Sequence, residues 1–130
     1  MSKTDNMVSG SDNKMKKISR NDLKLPYDLY HKQALIAQAV AHPVRIAILN
    51  VLRQGPHCVQ DITHHVSKKQ SNISRHLALM VGSGLLTYEK KGLRVVYMIR
   101  TQCVLRFLDC LSQCLQEQIQ SDSQTLKVIG

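Results

Sequence analysis

The chain has 130 residues, with 18 Lys or Arg against 9 Asp or Glu and a formal net charge of +9. That length suits one ordinary domain. The hydrophobic share of 43% is globular, and with 4% aromatic residues and no Trp the core has to be aliphatic. The balance points to a polyanionic partner and away from carboxylate catalysis; no glycine-rich phosphate loop, paired acidic dyad or metal-hydrolase motif occurs, so the chain does not read as an enzyme. No run approaches the roughly 18 apolar residues of a membrane span and no secretory leader is apparent. Four cysteines without a dense framework suit a reduced cytoplasm.

Residues 1–25 are polar, carry six Lys or Arg against three Asp, and lack periodicity. They read as a disordered basic arm, either a solvated tail or a segment that tracks phosphates. The folded domain is expected over 26–120. A first helix is predicted over 28–41, with Leu29, Leu35, Ile36, Ala39 and Val40 on its apolar side. His42-Pro43 should break it, because the residue before proline avoids the helical region. Pro43 then suits the first turn of a second helix, which Gly55-Pro56 ends. Val44, Ile46, Ala47, Ile48, Val51 and Leu52 make that helix nearly all core. A short third helix is predicted over 57–66, with Val59, Ile62 and Val66 inward.

The stretch Ser67–Leu86 organises the rest. Ile73, Leu77, Met80 and Val81 recur at helical spacing and would dock on a core. The opposite face carries Gln70, Ser71, Asn72, Ser74, Arg75 and His76 rather than the Glu and Lys pairs of a merely solvated helix. Lys68 and Lys69 stand at its start, where backbone N–H groups favour phosphate, and Ser67 with Gln70 fits a capping box. No acidic residue occurs between Asp61 and Glu89. These features fit the second helix of a helix-turn-helix, the one that enters a DNA major groove. Glycine at 82 or 84 should end it.

Over 85–99 the period changes to two: Leu86 and Tyr88, then Leu93, Val95, Tyr97 and Ile99, around Lys90-Lys91-Gly92. That is a β-hairpin with a basic tip, a wing whose Lys90, Lys91 and Arg94 would touch phosphate, or whose Arg94 would enter a minor groove. Residues 67–100 hold seven Lys or Arg against one acidic residue, so the positive excess is concentrated here. A final amphipathic helix is predicted over 101–120, with Val104, Phe107, Leu108, Leu111, Leu115 and Ile119 on one side; pairing with the same helix of a second chain is its expected use. Residues 121–130 read as a polar tail. The expected fold is mainly α with a small β-hairpin wing: a winged helix-turn-helix of five helices.

In this order the segments HPVRIAILNVL, GPHCVQDI, QSNISRHLALMVGSGLL and KKGLRVVYMI resemble the ArsR/SmtB family of winged-helix repressors, over roughly residues 30–115. The resemblance implies a homodimer, joined through the terminal helices, that binds a palindromic double-stranded DNA operator without needing a cofactor and lets go when an inducer binds. It implies two recognition helices about 34 Å apart, one turn of DNA. The family's arsenic sensors carry two cysteines in the third-helix motif; here Cys58 stands at the first and Gln60 at the second. Its terminal-helix zinc site needs Asp and His pairs, and residues 101–130 hold no histidine.

What remains is a sulfur stripe. Cys103, Cys110 and Cys114 are seven and four apart and fall on one side of the last helix. Such thiolates suit As(III), Sb(III), Cd(II) or another thiophilic ion as inducer. Cys110 and Cys114 lie one turn apart, whereas Cys103 lies about 10 Å below Cys110, so a three-sulfur site needs a partner chain or Cys58. A thiol redox or persulfide switch and plain packing are the other readings of the stripe. An architectural DNA binder with no sensing, or a protein-interaction module, would leave it without a regulatory role.

Overall fold

The computed structural model describes residues 26–129; the basic arm at 1–25 lies outside them. Among the described residues there are five helices and a three-stranded antiparallel sheet. Helix α1 spans Pro26–Val40 and α2 spans Pro43–Leu52. Strand β1 is His57–Cys58, α3 is Val59–Val66 and α4 is Gln70–Gly82. Strands β2 (Leu86–Lys91) and β3 (Arg94–Ile99) precede α5, Val104–Ile129. No single helix among the described residues is long and apolar enough to cross a membrane.

The contacts divide the chain inside α1, between Ala34 and Leu35. Before the division, the described residues are a mostly exposed length of helix with an Asp28–Lys32 pair at 3.9 Å, one turn apart. From Leu35 onward the chain forms the unit that holds the remaining elements.

Local sequence explains the helix boundaries. His42 is extended and caps α2, its Nδ1 accepting from the Val44 N–H at 3.1 Å, and Pro43 fills the first turn. The core is aliphatic, as the composition requires. Ile48 and Leu49 of α2, Ile62 of α3, and Ile73, Leu77 and Met80 of α4 are fully buried, each contributing about 1.5–3 kcal/mol by leaving water. Leu85, Leu86, Ile99, Val104 and Leu108 extend the same cluster to the hairpin base and the start of α5. Gly84, at φ +87°, lets the chain turn out of α4, and Thr101 Oγ1 donates to its carbonyl at 2.8 Å.

Three expectations need correction. Residues 57 and 58 are not helical: they pair with β3 (His57 with Tyr97, Cys58 with Val96), and the helix begins only at Val59. Ser67 and Gln70 form no capping box. Ser67 ends α3 in the left-handed conformation (φ 60°, ψ 46°), Lys69 is the N-cap of α4 without a side-chain hydrogen bond, and Gln70 is the first helical residue. The last helix does not stop at 120 but runs on to Ile129, through the segment whose composition reads as a tail.

Candidate nucleic-acid interface

Helix α4 is divided lengthwise. Ile73, Leu77 and Met80 hold it to the core, whereas Gln70, Ser71, Ser74 and Arg75 are exposed and Asn72 and His76 lie partly buried on its flank. The split follows from the 3.6-residue period: apolar residues at 73, 77 and 80 fix which side faces out. Lys68 and Lys69, in the turn before the helix, are exposed. Arg75 Nη2 donates to Asn72 Oδ1 at 3.1 Å, which holds the guanidinium over the outward face with further N–H groups free to donate.

The wing is built from register. Leu86 pairs with Ile99 in the core, Tyr88 with Tyr97, Lys90 with Val95, and Lys91 with Arg94. Gly92, at φ +67°, closes the two-residue turn between the strands. Directly opposed residues share a face and neighbours along a strand alternate. Lys91 and Arg94 therefore stand together on one face of the hairpin and Lys90 on the other. The sequence reading grouped the three cations; the pleat separates them. Two like charges face each other at the tip, an arrangement unfavourable in the free chain, and Leu93 beside them is fully exposed.

The two ion pairs among the described residues are Lys32–Asp28 and Arg53–Asp109. Neither involves Lys68, Lys69, Arg75, Lys90, Lys91 or Arg94, so the positive field of α4 and the wing is not neutralised from within the described chain.

Tertiary packing adds two groups that sequence reading missed. The His42 ring lies 4.4 Å from that of His76. Burial first, then the charges of His42, Arg45 and Arg75, holds the His76 imidazole below its ordinary 6.5. His42 and Arg45 stand some thirty residues before α4 in the chain, and no local pattern joins them to it.

The cysteines separate into two environments. Cys58 is buried in the short strand beside β3, while Cys103, Cys110 and Cys114 are exposed on or just before α5; all four are free. No group of three or more His, Cys, Asp or Glu among the described residues could hold a metal ion. Burial thus sets Cys58 apart from the stripe, and a single chain presents Cys110 and Cys114 one turn apart without a third ligand. Packing within the chain does not account for the stripe, because its three sulfurs face outward.

Comparison with known proteins places this arrangement. The bacterial regulatory protein, arsR family, matches residues 42–88, from the cap of α2 to the start of the wing. The transcriptional repressor SmtB of Mycobacterium tuberculosis is 31% identical over 74 residues, which are 57% of this chain; the chain thus spans 55% of the length of that relative. The arsenical resistance operon repressor of Escherichia coli is 34% identical over 86 residues, 63% of this chain and 74% of that protein. In three dimensions the chain is similar to a homodimeric winged helix-turn-helix DNA-binding domain from Mycobacterium bovis, at 24% identity and a TM-score of 0.66, with 81% of this chain and 95% of that one covered. A docked α4, a basic two-stranded wing and sequence shared along most of the E. coli repressor lead to one conclusion: the chain belongs to the ArsR family of bacterial regulatory proteins.

Proposed function

We propose that the chain is a non-catalytic transcriptional repressor of the cytoplasm that binds a palindromic DNA operator as a homodimer. The observation that carries this reading is the unneutralised cationic surface of α4 and the wing, set on a helix whose other side is locked in the core. Lys68, Lys69, Lys91 and Arg94 fit phosphate contacts; Gln70, Ser71, Asn72, Ser74, Arg75 and His76 stand where base edges would be read, and Lys90 at the far face of the wing. Arginine bidentate to guanine is the commonest specific contact, which makes Arg75 the first residue to test. Phe107, Leu111, Leu115 and Ile119 form an exposed apolar stripe on α5, which supports pairing between two chains.

The test is a titration of the reduced protein on duplex DNA from its own promoter, read by fluorescence anisotropy over a range of salt. Arg75→Ala should cost about 1–3 kcal/mol on the operator and less on random DNA. Equal loss on both sequences would reassign Arg75 to phosphate, and absence of duplex binding at every salt concentration would discard the reading.

For release, exposure of Cys103, just before α5, and of Cys110 and Cys114 on it favours a thiophilic ion such as As(III), Sb(III) or Cd(II), held by Cys110 and Cys114 with a third sulfur from Cys103 of a second chain. A buried Cys58 is the weaker ligand candidate. The same exposure suits a persulfide or redox switch. Replacing Cys110 and Cys114 with Ser should leave DNA binding intact and abolish release by As(III); unchanged release would remove the site.

A further inference from the structure

Away from the wing lies a cleft of about 400 Å³, bounded by the end of α1, the first turn of α2 and the last turn of α4. That size is in the range of small-molecule sites. Its apolar walls come from Leu35 and Ala39 of α1 and Leu79 of α4. Leu35 and Leu79 are 50% and 47% exposed, so two large aliphatic side chains meet water there.

Arg45 supplies the polar side of the cleft. Its Nη2 donates to the Gln38 carbonyl at 3.1 Å. Its Nε is buried and has no hydrogen-bond partner, and no ion pair among the described residues includes it. The Arg45 guanidinium thus lines the cleft with its charge uncompensated by any carboxylate among the described residues. A guanidinium fork matches a carboxylate geometrically as well as electrically.

We propose that this cleft binds a small organic monocarboxylate, its carboxylate on Arg45 and its apolar body against Leu35, Ala39 and Leu79. An inorganic anion would satisfy the guanidinium but leave the aliphatic walls wet. A neutral apolar compound would cover the walls but leave the Arg45 charge without a counter-charge. Only an amphipathic anion answers both. The site is distinct from the cysteines and does not depend on the DNA-binding reading. It touches α4 at Leu79 and Gly82, so its occupant bears directly on the outward-facing helix. It also has an electrical consequence at a distance: a carboxylate on Arg45 offsets one of the charges that, after burial, lower the His76 pKa, so binding should raise it.

The test uses the reduced full chain without DNA, hexanoate as probe, and hexan-1-ol and inorganic phosphate as controls. Calorimetry should show saturable binding of hexanoate at one site per chain, with both controls weaker by about tenfold or more. The His76 ring protons, followed by NMR, should titrate at higher pH when hexanoate is present. Arg45→Gln should weaken hexanoate by about tenfold or more. Gly82→Leu adds a branched side chain to the lining of the same cleft, where a Cβ meets nothing within 4 Å, and should abolish binding while thermal unfolding confirms an intact fold. Should Arg45→Gln fail to fold, Gly82→Leu and the alcohol control still decide. No saturable hexanoate binding, equal binding of phosphate, or binding that survives Gly82→Leu would overturn the proposal, whether or not the protein binds a duplex.

Discussion

The wing offers the sharpest quantitative test, because its register separates cations of the same composition. Lys91 and Arg94 are direct cross-strand partners on one face of the hairpin, and Lys90 is on the other with Val95. All three are exposed and outside the ion pairs of the described residues, so replacing them should leave the fold intact; relief of the Lys91–Arg94 repulsion should even be slightly stabilising. If the Lys91/Arg94 face lies on the phosphate backbone, each protomer neutralises two phosphates there and a dimer four. Each phosphate contributes about 0.9 to the slope of log K against log salt. The Lys91→Ala/Arg94→Ala double variant should therefore lower that slope by about 3.6, whereas Lys90→Ala changes it by less than about 1. Sequence preference should survive in both, since phosphate contacts position but do not specify. The assay is anisotropy on operator and random duplexes across salt. An unchanged slope in the double variant, or an equal change per charge at Lys90, would refute the assignment of one wing face to the duplex.

Four further outcomes are expected. Ser67→Gly should stabilise the fold by about 1 kcal/mol in urea unfolding, because Ser67 holds a left-handed conformation (φ 60°) that glycine adopts without strain. Leu77→Ala should destabilise by about 2–5 kcal/mol, since this fully buried side chain ties α4 to the core. His76 has its folded pKa below the ordinary 6.5, so the unfolded chain takes up its proton first. Its contribution to stability is fully present above about 6.5 and lost as pH falls through the lower, folded value; His76→Gln should flatten that part of a stability–pH profile. Leu115→Glu places a charge in the exposed apolar stripe of α5 and should convert a dimer to a monomer in sedimentation, with little effect on the unfolding of the monomer core.

Periodicity made most of the fold legible. The 3.6-residue repeat of Ile73, Leu77 and Met80 located α4 and its outward face, and the alternation from Leu86 to Ile99 gave the hairpin. His42-Pro43 marked a true boundary for the reason expected, with the histidine ring adding a cap. Features set by distant partners were not legible. Strand β1 is two residues long and exists because β3 lies beside it; no repeat can announce so short a strand. The Ser67/Gln70 capping box matched a pattern of residue types, but the backbone at Ser67 turns left-handed to finish the preceding helix and carries the hydroxyl away from the cap role. The chemistry around His76 was hidden for a related reason: His42 and Arg45 reach it only after α2 and α4 have packed. Of the cysteine stripe, Cys110 and Cys114 do lie one turn apart on α5, but Cys103 falls in the turn before the helix, where helical spacing no longer applies, and the exposure of all three was not legible.

Helix α5 is 26 residues long, about 39 Å end to end, yet among its described side chains the buried ones are Val104 and Leu108, and every side chain from Asp109 to Gln124 is exposed. The Arg53–Asp109 pair, at 3.0 Å, ties its first turns to the end of α2, and a shallow groove lies between Leu111 and Leu115 and Ile46 and Asn50 of that helix. Most helical stability in proteins comes from packing an apolar face rather than from propensity, and beyond Leu108 that face of α5 is uncovered. Its outer turns should therefore fray on dilution and wind up again as chains meet, so that the helical circular-dichroism signal rises with protein concentration while the amides of α2 and α4 keep their protection from hydrogen exchange.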